Sequence, residues 1–261
     1  MLVMITERMC FCLRILLIRH AEPDYSVDSL TAKGRVEAEL LSRRMMQYDI
    51  RDFYVSPLGR AQDTAAYTLN RLGRHAESLP WLQEFRGSYP DPETGDRRIV
   101  AWDVKPRIWT LFPGIMDIRT WCNAPVFDGG DVREVWQETI HGVDALLGRY
   151  GYIKNGPVWC CENNTNDTIA LFCHFGISMA ILGYLTDISP MILWHHMLCL
   201  PSSVTEIVTE ERIKGEVSFR VTKLGDLTHL EGNGERSSSA GLFPEVYTGI
   251  DSTDPAINGT K

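Results

Sequence analysis

Short runs of consecutive apolar residues alternate with longer stretches of helical periodicity along much of the chain. Residues 13–18 and Thr168–Cys173 are continuous apolar runs, which are typical of strands buried on both faces of a sheet. Asp52–Val55 is predicted as another short strand, and residues 204–209 and 217–221 as an antiparallel hairpin at the sheet edge. Because helices separate the early strands, we expect parallel pairing with right-handed crossovers. The predicted fold class is α/β, a three-layer α/β/α sandwich around a mostly parallel central sheet.

The helical stretches have recognisable ends. Thr31 can cap the N-terminus of a helix that runs to about residue 48, and a second helix follows the strand at Asp52–Val55 and ends at Gly73. Apolar residues recur on one face of residues 131–150, which predicts a third, amphipathic helix. A fourth helix is expected directly after His174.

The pattern predicts one domain over residues 13–230, with an N-terminal extension at 1–12. The tail, residues 231–261, is rich in Gly, Ser, Asp and Pro, and is expected to be irregular and partly pinned by apolar side chains, namely Leu242, Phe243 and Val246. Regular periodicity also disappears at about 86–128, where Pro, Gly and aromatic residues are frequent. Such long loops usually cover or bind a ligand, so this insertion is expected at the functional site.

Three tryptophans of the insertion have two interpretations. They could line an apolar wall of a ligand cleft, or they could attach the long loop to the core, and the sequence favours neither. They are Trp102, Trp109 and Trp121.

Charge and cysteine content limit the functions that are possible. The formal net charge is -8 and no long basic run occurs, which argues against nucleic acid as a partner. A small phosphate ester still fits, because it needs only a few well-placed cations. The seven cysteines are odd in number and form no C-x-x-C pair, which predicts reduced thiols in the cytoplasm. Charged residues interrupt the apolar N-terminus, so neither a signal peptide nor a membrane anchor is expected.

Basic side chains stand where two predicted strands end. Arg19 and His20 follow the first apolar run, His174 follows Thr168–Cys173, and Arg60 lies at the start of the helix after the second strand. Ligands of open parallel sheets bind beyond the carboxyl ends of the strands, so these side chains are expected to converge there. Two guanidinium groups and two imidazoles in one cleft suit a phosphate group, which arginine binds through a fork of donors.

Four segments, LLIRHAE, VSPLGRAQDTA, LQEF and CHFG, resemble in sequence and in order the motifs of the histidine phosphatase superfamily, the phosphoglycerate mutase-like family. The segments SLTAKGRVEAELL and SSVTEI also resemble parts of that family, so the resemblance spans about residues 13–224. Two departures occur: the first motif reads RHA where many members have RHG, and Phe175 separates His174 from Gly176. The N–H of Phe175, at a helix start, could still donate to a phosphate.

The resemblance implies a role for each matching residue. His20 would be the nucleophile that accepts the phosphoryl group, and Arg19, Arg60 and His174 would bind its oxygens. A neutral imidazole can attack through one nitrogen while the other stays protonated, best held by a backbone carbonyl. Surrounding cations would lower the pKa of His20 and neutralise charge on the oxygens. The scheme requires no metal and no other cofactor.

The resemblance also implies that Glu84, in WLQEF, protonates the leaving oxygen. This role requires partial burial to raise its pKa, here among aromatic residues such as Trp81 and Phe85. Three other acids remain as alternative donors, namely Glu22, Asp24 and Glu93.

Arg60 and three further histidines also have interpretations without a catalytic role. Arg60 could instead pair with Asp63 across a helical turn. Three further histidines, His75, His195 and His196, are interpreted as packing or surface residues, because no acid or cysteine lies at metal-ligand spacing from them.

The expected function is hydrolysis of a small-molecule phosphate monoester through a phosphohistidine, as in a histidine acid phosphatase-type phosphoric monoester hydrolase. The chain lacks the longer insertions typical of true phosphoglycerate mutases, which favours a phosphatase. The alternatives are a phosphoglycerate mutase-type phosphotransferase and a non-catalytic protein that binds a phosphorylated ligand. The only partner predicted is a small phosphorylated substrate, and the oligomeric state stays open.

Overall fold

A computed structural model of the 261-residue chain describes residues 12–95, 97–162 and 165–242. The extension before residue 12 and the tail after residue 242, with the expected anchors Phe243 and Val246, lie outside the described residues. None of the helices in the described part is long and apolar enough to cross a membrane.

The strands belong to one large sheet and two short ribbons. In chain order they are β1 Arg14–Arg19, β2 Pro23–Asp24, β3 Ser29–Leu30, β4 Asp52–Val55, β5 Glu77–Ser78, β6 Ser88–Pro90, β7 Arg98–Val100, β8 Tyr152–Asn155, β9 Val158–Cys161, β10 Thr168–Cys173, β11 Val204–Ile213 and β12 Glu216–Asp226. The helices are α1 Ala32–Met45, α2 Gly59–Leu72, α3 Pro106–Trp109, α4 Val132–Gly148, α5 Phe175–Thr186, α6 Pro190–His196 and α7 Thr228–Glu231.

The eight-stranded sheet has the order β5-β4-β10-β1-β11-β12-β9-β8. Strands β5, β4, β10 and β1 are parallel, whereas β11, β12, β9 and β8 continue the sheet in antiparallel pairs. The predicted α/β class is therefore confirmed, with a sheet that is mixed in direction. The closing hairpin β11–β12 also forms, but the prediction that it lies at the sheet edge is wrong. The hairpin β8–β9 extends the sheet beyond it.

Helices cover both faces of the sheet, and β1 shows how the sequence produces this. Successive strand residues point to opposite faces. Ile15 and Leu17 lie in one apolar core with residues of α4 and α5, and Leu16 and Ile18 lie in a second core with residues of α1 and α2. The prediction of a strand buried on both faces is confirmed.

Two helix ends follow the predicted capping chemistry. The Thr31 hydroxyl accepts a hydrogen bond from the Gly34 N–H at 3.0 Å, although α1 ends at Met45, before the expected residue 48. Gly73 ends α2 with a φ of 62°, a left-handed conformation that glycine adopts without strain.

The insertion at 86–128 holds the short ribbon β6–β7, the four-residue α3 and several single 3₁₀ turns. Trp109 and Trp121 are almost completely buried and belong to the core next to α4 and α5. These two tryptophans therefore attach the loop to the core, whereas Trp102 is only partly buried and lines a cleft.

Candidate functional site

Strand register brings the two histidines of the predicted site together. Arg19 of β1 pairs with Cys173 of β10, so His20 and His174 follow at equivalent positions beyond the carboxyl ends of adjacent parallel strands. Their ring centroids are 5.1 Å apart. The convergence expected from the strand ends is present.

The ring of His20 is fixed in one neutral form. Its Nδ1 lies 2.8 Å from the carbonyl oxygen of Ala21, and because a carbonyl can only accept, Nδ1 carries the hydrogen. Burial, followed by the charges of Arg19 and Arg60, lowers the pKa of His20 to about 3. The imidazole is thus neutral near pH 7, with an unprotonated Nε2. A backbone carbonyl holds the proton, as predicted.

His174 is held by Ser56, which sequence reasoning did not assign to the site. Its Nε2 lies 2.7 Å from the Ser56 hydroxyl oxygen, which also accepts a hydrogen bond from the Leu58 N–H at 3.2 Å. Burial, followed by the charges of His20, Arg60 and Arg19, places the pKa of His174 well below its usual value. Its Nδ1 is buried without a hydrogen-bond partner among the described residues. That nitrogen keeps an unused hydrogen-bonding position within the site.

Arg19 is nearly buried in the same cleft. Its Nη1 donates to the carbonyl oxygen of Cys199 at 2.6 Å, and its guanidinium carbon lies 5.6 Å from the centre of the Phe175 ring. The Nε atom is buried and has no partner within the described part of the chain. Arg19 therefore keeps a donor for an anion while one arm is anchored to the backbone.

Arg60 is positioned by Asp28, a residue that sequence reasoning missed. Their Nη1 and Oδ1 atoms are 2.5 Å apart, and the other carboxylate oxygen of Asp28 accepts from the Gly59 N–H at 2.7 Å. The alternative pair with Asp63 does not form, because the Asp63 carboxylate accepts from the Ser29 hydroxyl. As with Arg19, Nε of Arg60 is buried and lacks a partner in the described ranges.

Gly59 permits this contact. A Cβ atom at that position would lie 2.1 Å from the carbonyl oxygen of Asp28. The backbone of Asp28 has a φ of 48°. The loop before β3 therefore packs directly against the start of α2. The glycine of SPLGR, Gly59, can be read from the sequence as a site of close approach, but no local pattern identifies Asp28 as the residue that approaches it.

Glu84 lies in the cleft, and its environment favours the protonated acid. Burial raises the pKa of Glu84, although its Oε1 accepts hydrogen bonds from the N–H groups of Phe85 and Ile177 at 2.8 and 3.1 Å. The three alternative acids are engaged elsewhere: Glu22 with Thr31 and Ser238, Asp24 with Ser26, and Glu93 with Lys105 and Arg107. Of the four acids considered, Glu84 is the one that lines the cleft, and its raised pKa suits a proton donor.

Gly176 allows Glu84 to approach α5. A Cβ atom there would lie 2.7 Å from Oε1 of Glu84 and 2.9 Å from Cδ1 of Trp102. The bulky Phe175 before it is accommodated, because its ring turns over Arg19. As the first residue of α5, Phe175 has an N–H with no carbonyl partner inside the helix.

The site opens into a cleft of about 490 Å³. Arg19, Arg60 and Glu84 line it together with Trp102 and Phe175, and further walls come from Tyr25, Trp194, Met197, Leu198 and residues 240–242. Neither His195 nor His75 lines it. His195 instead packs within the protein, with its ring nitrogens 2.8 Å from the carbonyl oxygens of Met191 and Val104.

Residues 240–242 of the tail line this cleft, which the sequence did not indicate. Leu242 was expected to pin the tail, but it is 52% exposed and lines the cleft instead. Polar contacts hold the segment: the Ser238 hydroxyl donates to Glu22 at 2.5 Å, and Lys33 pairs with Glu235 at 2.5 Å. A Cβ atom on Gly241 would lie 2.7 Å from Nη1 of Arg19, so the tail packs directly on the arginine.

Part of the chain matches a known protein family. The family model for the histidine phosphatase superfamily (branch 1) matches residues 15–94, a range that includes Arg19, His20, Arg60 and Glu84. Over these residues the chain is similar to the histidine phosphatase superfamily. The resemblance read from the sequence motifs is thereby confirmed. A search of curated protein sequences gives no match to this chain.

Several solved structures are similar to this chain in fold. A phosphoserine phosphatase from Entamoeba histolytica aligns with a TM-score of 0.55 and 16% identity, over 84% of this chain and 99% of that one. A mycobacterial glucosyl-3-phosphoglycerate phosphatase gives 0.55 and 20%, over 82% and 99%. The alpha-ribazole phosphatase of Shigella flexneri gives 0.52 and 20%, over 82% and 96%.

Proposed function

We propose that the protein is a phosphatase that hydrolyses a small-molecule phosphate monoester through a phosphohistidine at His20. The observation that carries this proposal is the hydrogen bond from Nδ1 of His20 to the carbonyl of Ala21. His20 lies against His174 at the base of the cleft that Arg19 and Arg60 line. It leaves Nε2 as a neutral nucleophile next to groups that can bind a phosphoryl group.

In the first step, Nε2 of His20 forms a bond to phosphorus while the bond from phosphorus to the alcohol oxygen breaks. Glu84 gives its proton to that oxygen, so the alcohol leaves uncharged. Arg19, Arg60, Nδ1 of His174 and the Phe175 N–H bind the other oxygens and stabilise their charge. No metal is needed for these steps.

In the second step, water attacks the phosphohistidine. The Glu84 carboxylate takes a proton from the water, the nitrogen to phosphorus bond breaks, and inorganic phosphate leaves. The environments of the two groups support these assignments. Burial lowers the pKa of His20 to about 3 and raises that of Glu84, which are the directions that a neutral nucleophile and a proton donor require.

The similar solved structures also support a phosphatase, because the three compared above are each named as phosphatases. We further propose a cytoplasmic location, because the chain has seven cysteines, an odd number. Six of them lie within the described ranges, and all six are free thiols.

The test is to follow the fate of the phosphoryl group. Purified protein should release inorganic phosphate from p-nitrophenyl phosphate. A mutase would instead keep the group in organic form, passing it from a bisphosphoglycerate to a phosphoglycerate. A binding protein would bind inorganic phosphate and turn over neither substrate. Either of these two results would reject the proposal.

A substitution at Gly176 tests the placement of Glu84. The Gly176→Ala variant should have a kcat/KM for alkyl phosphates reduced by about tenfold or more, because the added methyl group must displace Glu84 or Trp102. Gly148→Ala is the matched control, since a Cβ on that helical glycine meets no atom within 4 Å. Steady-state kinetics of the two variants should differ, and equal activity would contradict the placement.

A further inference from the structure

We propose that the substrate is a monoester whose alcohol part is apolar, preferably aromatic, and carries no charge of its own. This inference rests on the proposed function, and it concerns which phosphate ester the cleft accepts. It is drawn from the direction in which the alcohol leaves, from the side chains it meets there, and from the distribution of charge along the cleft.

The position of the proton donor sets the direction of the alcohol. Glu84 protonates the oxygen that joins phosphorus to the alcohol, so the alcohol extends past Glu84. Trp102 is the neighbour there, since both it and Glu84 closely approach Gly176. The Phe175 ring lies on the adjacent side, against Arg19. The first atoms of the alcohol therefore meet two aromatic side chains.

Farther from the phosphate site the cleft is aliphatic and open to solvent. Leu198 is 51% exposed and Leu242 52% exposed, and Met197 stands beside them in the cleft lining. Exposed apolar side chains grouped in a concave site are typical of a surface that binds an apolar ligand. An alcohol of the size of a phenyl or naphthyl group would cover them.

The distribution of charge along the cleft also favours an alcohol without a negative charge. The cations that line the described part of the cleft are Arg19 and Arg60, both at the phosphate end, and Arg60 already pairs with Asp28. The acids Glu84 and Asp103 also line it. A second anionic group on the substrate, such as a carboxylate, would thus lose its water without gaining a cation.

A positively charged alcohol fits less well than a neutral one. Trp194, which could contribute to an aromatic cage, is 3% exposed and donates its indole N–H to the carbonyl of Gly176. Beyond Trp102 and Phe175 the exposed aromatic ring of the cleft is Tyr25, and the guanidinium carbon of Arg60 already lies 5.4 Å from its centre. The other exposed apolar side chains there are aliphatic, and aliphatic groups do not attract a cation. We therefore commit to an uncharged alcohol.

The first experiment compares esters whose alcohols have similar acidity, so that intrinsic reactivity does not decide the result. The substrates are 2-phenylethyl phosphate, phosphoserine, 3-phosphoglycerate and phosphocholine. We expect kcat/KM to be about tenfold or more higher for 2-phenylethyl phosphate than for the other three. A preference for phosphoserine, 3-phosphoglycerate or phosphocholine would overturn the inference. Loss of all turnover, including that of p-nitrophenyl phosphate, would instead reject the proposed function.

The second experiment changes the charge of the apolar wall. In Leu198→Arg, the ratio of kcat/KM for 3-phosphoglycerate to that for 2-phenylethyl phosphate should rise about tenfold, because the new guanidinium can pair with the carboxylate. Ile213→Arg is the control. Ile213 is 62% exposed and is the last residue of β11. The first residue of that strand, Val204, pairs with Ile18 next to the site, so Ile213 lies at the end of the strand that is far from the site. An unchanged ratio in both variants would show that the alcohol does not reach Leu198 and would overturn the inference.

Discussion

Replacing His20 with alanine is expected to reduce kcat for p-nitrophenyl phosphate by at least about a thousandfold. The substitution removes the nitrogen that accepts the phosphoryl group, and the remaining cleft can only orient water. The side chain is 1% exposed, so its removal leaves a small cavity next to His174. Release of p-nitrophenol over hours, together with a thermal unfolding curve, gives both the activity and the folded state of the variant.

Two controls make this result specific. His75→Ala removes an exposed histidine outside the cleft and should keep full activity. The His20→Ala protein should still bind inorganic phosphate, measured by calorimetry, because Arg19 and Arg60 remain in place. A folded His20→Ala protein with undiminished turnover would remove the nucleophile from the mechanism.

Glu84→Gln is expected to have an effect that depends on the leaving group. For 2-phenylethyl phosphate, kcat/KM should fall about a hundredfold or more, because an alkoxide cannot leave without a proton. For p-nitrophenyl phosphate the fall should stay below about tenfold, since nitrophenolate is stable unprotonated. Glu93→Gln, which alters an acid paired with Lys105 and Arg107, should affect neither substrate. Equal losses on both esters would contradict the assignment of Glu84 as proton donor.

The pH dependence should agree with the same assignment. Because the pKa of Glu84 is raised, its protonated form persists to higher pH than in an ordinary glutamate, and kcat/KM for the alkyl ester falls as pH rises through that pKa. In Glu84→Gln this fall should be absent. His20, with its pKa lowered to about 3, stays neutral through mildly acidic pH and should cause no loss there.

The core of the site could be predicted because it depends on strand ends. Apolar runs identified β1 and β10, and parallel strands end at one edge of a sheet, so Arg19, His20 and His174 had to meet there. Arg60 followed from its place at the start of the helix after β4. Local pattern and family motif agreed at these positions.

Contacts between distant segments could not be predicted in this way. Asp28 pairs with Arg60 across 32 residues, and Gly241 packs on Arg19 from the far end of the chain, so no local pattern reports either contact. Trp102 and Trp121 both lie in the irregular insertion, and only the packing of that insertion shows that the first lines the cleft and the second belongs to the core. The hairpin β8–β9 was missed although Gly156 and Pro157, the two residues between its strands, are typical of turns.

The most direct test of the central claim is to trap the phosphorylated chain in Glu84→Gln. With p-nitrophenyl phosphate, His20 of this variant should still be phosphorylated, while the loss of the base slows attack by water. Quenching in alkali and mass spectrometry should then show one phosphoryl group per chain on His20, formed with an equal burst of p-nitrophenol. Steady release of p-nitrophenol with no phosphorylated chain, or with the group on another residue, would contradict the account.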